Sequence, residues 1–318
     1  MSGSWGRYLV LRLLQTIPVL FGVSVIVFVI VQAAPGDPVV NMLGIQATEE
    51  NIAELRRQYG LDQPVYVQYF VWLEGVLQGD LGQSLTRSES VLELILSRLP
   101  ATLFLAVASM VIALLIAIPA GVLSALNEGT GTDYGVSVAA LAGVSIPNFW
   151  LGLLLIYFFA VQLGVMPAGN YVSPTDDPLA ALRHVFLPAL TMGTAFAAVL
   201  ARQTRSALLD NLNNDNVLMA KSKGISSRVV LTKHLMKQSL LPVLTVAGLQ
   251  FGYLLSATVV VEEIFAWPGL GRLIFEAVLQ QDYPTVQGAV LTVAVLFVLI
   301  NLVVDLLYSF LDPRVSAQ

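Results

Sequence analysis

The sequence predicts an all-α integral membrane protein: about six transmembrane helices, a small helical insert on the outer side, and a short helix in one cytoplasmic loop. Three observations carry this reading. Of the 318 residues, 56% are hydrophobic and 12% charged, against about 45–50% and about 25% in an ordinary soluble domain. Too little polar material remains to cover a water-facing surface. The apolar residues come in blocks of about 20, the length a helix needs to cross some 30 Å of hydrocarbon. Lys and Arg, finally, are shared unevenly among the segments that join those blocks.

The first block is residues 13–34, preceded by Arg7 and Arg12. Its core is longer than the about 7–15 apolar residues of a cleaved signal peptide, so it reads as a retained span. The others are residues 101–126, 136–163 (interrupted at Pro147), 186–201 (rich in small residues), 240–261 and 287–311. The chain divides into an N-terminal end and first span (1–34), an outer helical insert (35–100) and a five-span core (101–318) whose longest cytoplasmic loop is 211–239. In the insert, Thr48 is a good N-cap, with Glu49 and Glu50 in the first turn, Arg56 and Arg57 in the last and Gly60 just beyond. A second helix starts near Pro64 and carries Tyr66, Tyr69, Phe70 and Trp72. A third opens at Ser88 and stops before Pro100.

Orientation follows from the bias of Lys and Arg in loops beside the spans. With the N-terminus in the cytoplasm, ten of the sixteen basic residues are cytoplasmic, and about fifteen of the twenty-one acids fall outside. Asp305 is left inside a span. An even number of spans puts both termini on the cytoplasmic side of the cell membrane.

Several chemistries are excluded. There is no cysteine, hence no disulfide or thiolate metal site, and the two histidines, His184 and His234, lack metal-ligand spacing. No lysine follows a glycine, so the phosphate loop G-K-[ST] is missing, and there is no H-E-x-x-H. Gly22-Val23-Ser24 and Gly143-Val144-Ser145 lack the second glycine of a nucleophile elbow, and no span carries a histidine base. The chain is expected to be no enzyme, with no cofactor or metal of its own. Its net charge of −5 and four lysines argue against a nucleic-acid partner.

The loop 211–239 contains Asp215-Asn216-Val217-Leu218-Met219-Ala220-Lys221-Ser222-Lys223-Gly224-Ile225, followed further on by Leu240-Leu241-Pro242. A two-turn helix ending at Gly224 fits, because glycine accepts the left-handed conformation after a helix C-terminus. Held at a loop tip, such a helix is either a docking knob or a basic segment beside anionic lipid. Other strings are equally specific: Gly36-Asp37-Pro38, Gly60-Leu61-Asp62-Gln63-Pro64, Gly79-Asp80-Leu81-Gly82-Gln83-Ser84, Ser145-Ile146-Pro147-Asn148-Phe149-Trp150-Leu151-Gly152, Gly248-Leu249-Gln250, Trp267-Pro268-Gly269-Leu270-Gly271, Asp282-Tyr283-Pro284 and Asp312-Pro313-Arg314. In this order and over most of its length, the chain resembles the dipeptide/oligopeptide/nickel branch of binding-protein-dependent ABC transporter permeases. The resemblance departs at Asn216 and Met219, where the family usually has Tyr and Thr, and at Glu128 and Asp133, in a loop where it usually has basic residues.

The resemblance implies an ATP-driven importer working by alternating access, most readily of di- or oligopeptides. Its partners would be a second, related but non-identical permease chain, two cytoplasmic ABC ATPases and an external solute-binding protein. The coupling helix that meets the ATPase would then include Val217, Ala220, Lys221, Lys223, Gly224 and Ile225. Nickel is disfavoured by the missing Cys and scarce His; oligosaccharide or metal-chelate cargo stays open. A secondary, ion-coupled transporter is the rival class, and would be expected to show ion-coupling acids or broken helices near mid-membrane and often an internal repeat. Three further features are singled out. Glu262, Glu263, Phe265, Pro268 and Gly269 form an angular outer segment that reads as a gate, a docking surface or a plain surface loop. Gly248 and Gly252 make a G-x-x-x-G that permits close helix packing. Asp305 shares a helix face with Asn301 and Tyr308 and is expected to be turned into protein, paired with Arg12.

Overall fold

The structure, a computed structural model, describes residues 2–33, 48–58, 60–87, 89–212, 214–226 and 229–311. All its regular elements there are helical: α1 (Ser2–Gln32), α2 (Glu49–Gln58), α3 (Val65–Leu77), α4 (Val91–Leu126), α5 (Gly131–Ser145), α6 (Asn148–Leu155, continued by a π turn over Ile156–Gln162), α7 (Pro178–Leu212), α8 (Asp215–Ser222), α9 (Met236–Ile264, entered through a π turn over Val230–Leu235), α10 (Leu270–Leu279) and α11 (Tyr283–Leu311). Five helices are long and apolar enough to cross a membrane, or six if the bent pair α5–α6 counts as one span.

The centre of the bundle is the pair α4 and α7. Small residues let their backbones meet: a side chain at Gly193 would press on the carbonyl of Ser109, and one at Gly121 would overlap Thr204. Without a hydrophobic drive between helices in lipid, such close van der Waals packing is the main attraction available. Around this pair lies one large apolar cluster. Leu105, Met192, Leu200, Val243, Leu254, Phe265 and Trp267 are all buried in it, so α9 packs along the core. α1 lies against α11 and leaves Leu14, Ile17, Phe21, Ile26 and Ile30 exposed, as a lipid-facing helix does.

The insert differs from expectation at its end. The helix expected to stop before Pro100 instead runs unbroken to Leu126, with Pro100 and Pro119 inside it. Proline removes one hydrogen bond and crowds the preceding turn, but Leu94, Ile95, Ala101 and Leu105 are buried on both sides of Pro100 and hold the helix through it. The boundary between insert and core therefore falls within α4. Thr48 caps α2 as its sequence suggests, accepting the Asn51 N–H at 3.3 Å. α3 turns Tyr69 inward: its hydroxyl is 2.9 Å from that of Ser24, and its ring meets Phe21 and Phe28 edge-on. Tyr66 and Phe70 remain exposed.

The loop after α3 is pinned to the far end of the chain. Asp282, just before α11, is buried and accepts hydrogen bonds from the hydroxyls of Ser84, Thr86 and Thr285 and from the Leu85 N–H. Gly82 packs on Pro284. Two strings nearly 200 residues apart in sequence thus meet in one joint.

Candidate functional site

The loop between α7 and α9 is held at its base by Ser239, which donates to the carbonyl of Ala207 at 3.0 Å, and by Asn211, whose amide reaches the same carbonyl at 2.7 Å. At its tip sits α8. The helix ends as the sequence suggests: Gly224 has φ +73°, and the Ile225 N–H reaches back to the Ala220 carbonyl at 3.2 Å, the six-to-one bond that closes a left-handed helix terminus. Val217 and Ala220 are buried, and Ile225 is half-buried, in a cluster with Ala125, Leu208, Val230 and Leu235. Met219 is 52% exposed, and Ser222, Lys223 and Gly224 are exposed with it. The side chain of Lys221 lies outside the described residues.

This splits the helix and its expected coupling residues, to which the structure adds Met219, into two groups. Val217, Ala220 and Ile225 seat the helix on the chain's own core, while Met219, Lys223 and Gly224 face away from it. Ala220 fills a groove of its own chain, formed by α4, α7 and the segment leading to α9. Helical spacing carries that signal: 217 and 220 share a face, and 219 and 223 share another.

A second arrangement, which sequence reasoning missed, lies between α4, α5 and α7. Asp133 is buried and takes a bidentate pair from Arg205, Nε to Oδ1 and an Nη to Oδ2, both at 2.8 Å. Ser124 of α4 donates to the same carboxylate, as does the Gly129 N–H at 3.0 Å. Glu128 stands 3.8 Å from Arg205 at the rim. Planar fork-to-fork geometry fixes orientation as well as adding energy. One acid thus fastens three helix ends together. Seventy-two residues separate the partners, so no local spacing announces them.

The outer segment 262–269 proves mostly internal. Glu262, Phe265, Trp267 and Gly269 are buried, and Pro268 is half-buried; Glu263 and Ala266 are exposed. The Glu262 carboxylate accepts from the Thr102 hydroxyl at 3.1 Å and from the Arg272 N–H in the first turn of α10 at 2.8 Å. Thr102 in turn accepts the Leu270 N–H at 2.7 Å. The Glu262 carbonyl accepts the Trp267 N–H at 2.7 Å, and the Trp267 indole donates to the Ala101 carbonyl at 2.9 Å. A side chain at Gly269 would overlap the carboxylate. Glu262 therefore fills the N-terminus of α10, where backbone N–H groups lack helical partners. Of the five residues expected at an outer gate or docking surface, only Glu263 presents its charge outward, 3.5 Å from Arg272. Arg272 also pairs with Glu276 at 2.9 Å, which Arg87 of the insert meets at 2.7 Å.

Gly248 and Gly252 face α11, where added side chains would overlap Val304 and Phe297; the G-x-x-x-G packs within the chain. The Asn301 amide donates to the Phe297 carbonyl at 3.0 Å. The side chain of Asp305, and with it the expected pairing to Arg12, lies outside the described residues. Among the described residues no group of three or more His, Asp or Glu can hold a metal.

Nothing in these arrangements is a nucleophile, a general base in a cleft or a phosphate cradle. They are joints and one exposed knob. Comparison with known proteins agrees. Residues 117–317 match the family described as binding-protein-dependent transport system inner membrane component, and residues 6–106 match its N-terminal companion family. The chain is 42% identical to the dipeptide transport system permease protein of Alkalihalophilus pseudofirmus, over 97% of this chain and 99% of the relative. It is also 42% identical to an oligopeptide transport system permease protein of Bacillus subtilis, with the same coverage, and to a glutathione transport system permease protein of Escherichia coli, over 97% and 98%. Among solved structures, an inward-facing methionine ABC transporter matches with a TM-score of 0.57 at 20% identity, covering 69% of this chain and 96% of that one, which is a likeness of fold. The chain is a member of the binding-protein-dependent ABC transporter permeases, of the dipeptide/oligopeptide kind, a multi-pass membrane protein whose family leaves ATP hydrolysis to separate subunits.

Proposed function

We propose that this chain forms half of the translocation pore of an importer of di- or oligopeptides, driven by alternating access. Two cytoplasmic ATPases would dock on α8, a second, non-identical permease chain would complete the pore, and an external binding protein would deliver cargo to the side carrying α2, α3 and α10. Both termini would be cytoplasmic, as the distribution of Lys and Arg argues. The observation that carries the reading is α8 itself. It is a short helix, seated by Val217 and Ala220 on the ends of α4, α7 and α9, that offers Met219, Ser222 and Lys223 outward. A push on such a helix is delivered to three spans at once. Peptide cargo is supported by the dipeptide, oligopeptide and glutathione relatives.

The test is uptake of a labelled dipeptide into proteoliposomes containing the chain with its neighbouring-gene ATPases, permease and binding protein. ATP-dependent uptake that requires the binding protein is expected. Uptake driven by a proton or sodium gradient without ATPases would overturn the reading in favour of a secondary transporter.

A further inference from the structure

The span built from α5 and α6 is not a span in the ordinary sense. The two helices are bent by 101° at a break of two residues, Ile146 and Pro147. The break's depth can be read from its neighbours. Gly143 stands against Thr194 and Ala198, in the middle of α7, whose ends are Pro178 and Leu212. Nine residues later, Gly152 stands against Thr191 and Phe265. The chain has then moved along α7 by only a few residues, less than a straight helix would climb. The break therefore lies near mid-membrane, and α6 leaves it sideways.

Irregular backbone at that depth needs partners, and here it has few. The Ile146 N–H reaches the Ala142 carbonyl, and the Pro147 carbonyl accepts from Trp150 and Leu151. The carbonyls of Gly143, Val144, Ser145 and Ile146, and the N–H groups of Asn148 and Phe149, make no hydrogen bond among the described residues. Proline has no N–H to offer the Gly143 carbonyl. The same stretch is open: Ser145 and Pro147 are exposed, and Val144, Phe149 and Trp150 are each about half exposed. Hydrocarbon cannot satisfy these groups. Non-helical backbone is tolerated at membrane depth only where it is buried in protein or lines a water-filled cavity. It is not buried in this chain.

We propose that the break at Ser145–Asn148 faces the water-filled passage through which solute moves, and that its free carbonyls and N–H groups are solvated there and exchange that water for the polar groups of a passing substrate. This marks the pore-facing side of the subunit: the exposed faces of Val144, Ser145, Asn148 and Trp150, opposite the side on which Gly143 and Gly152 pack against α7. The inference rests on the chain being a pore subunit and is independent of the cargo's identity.

The chain has no cysteine, so an introduced thiol on it reports alone. Ser145→Cys and, separately, Asn148→Cys are placed in the assembled complex in membrane vesicles and treated with a charged, membrane-impermeant methanethiosulfonate. Modification is read by mass on this chain, with Ile26→Cys on α1 (58% exposed) as the lipid-facing comparison. A thiol reacts as thiolate, which hydrocarbon suppresses, so the break positions should react about tenfold faster or more than Ile26→Cys. Rates at both break positions no faster than at Ile26→Cys, with modification only by a lipid-soluble maleimide, would overturn the proposal. The second variant keeps the test decisive if one substitution prevents assembly. Failed dipeptide uptake with rapid labelling would sink the cargo reading alone; normal uptake with slow labelling would sink this one alone.

Discussion

The two ends of the bundle solve the same problem, anchoring a short helix, in opposite ways. At the outer end α10 is anchored through polar atoms: Glu262 and Thr102 take up its first N–H groups, and Trp267 seals the joint against Ala101. At the other end α8 is seated, among the described side chains, through apolar groups, Val217, Ala220 and Ile225 against Ala125, Leu208 and Leu235. A polar joint has one geometry in which its partners are satisfied, so it resists displacement. An apolar seat tolerates sliding, because dispersion and burial are not directional. On the proposed function, the fixed helix belongs where shape must persist, and the seated one where motion would be delivered.

Breaking the polar joint should have the largest effect. Glu262→Ala removes the acceptor from the Arg272 N–H and the Thr102 hydroxyl in a fully buried site, which should cost about 3–5 kcal/mol, seen as a large loss of thermal stability in detergent and of protein in the membrane. Stability close to that of the unaltered chain would show the joint to be solvated. An intermediate effect is expected when the seat is overfilled. Ala220→Phe should cost about 1–3 kcal/mol and reduce ATP-driven uptake through a displaced α8, with the rest of the bundle intact by limited proteolysis. The smallest effect on stability comes from the outward face. Met219→Ala with Lys223→Ala should shift stability by no more than about 0.5 kcal/mol yet weaken co-purification of the ATPase. Unchanged co-purification together with unchanged uptake would mean that α8 is not the docking knob.

The same contrast explains what the sequence disclosed. Five spans were legible because each is a long run of apolar residues, and the end of α8 because Gly224 sits where only a left-handed residue closes the helix. Pro147 was legible as an interruption, though not the size of the bend it permits. Pro100 misled, since proline's local preference to end a helix lost to burial of Ile95, Ala101 and Leu105. Glu262 misled in the other direction: a charge in an angular segment reads as surface, and only the Thr102 and Arg272 donors, 160 residues before it and 10 after, make a buried carboxylate acceptable. Asp133 with Arg205, and Ser84 with Asp282, were invisible for the same reason. Polar joints between distant segments leave no period in the sequence, whereas apolar helices do.

The Asp133–Arg205 clamp has a mechanical consequence. Two parallel hydrogen bonds resist twisting as well as separation, and Ser124 adds a third point of attachment from α4. The ends of α4, α5 and α7 thereby make a triangulated frame, and α8 rests on that frame beside Leu208. A torque that reaches this frame would turn the ends of α4, α5 and α7 as one piece. The first compliant point it meets is the elbow at Ile146 and Pro147, where the helix ladder is already interrupted. The stiff frame therefore stops at that elbow, and on the proposed function a load entering at α8 would reach α6 only through its packing on α7 and Phe265.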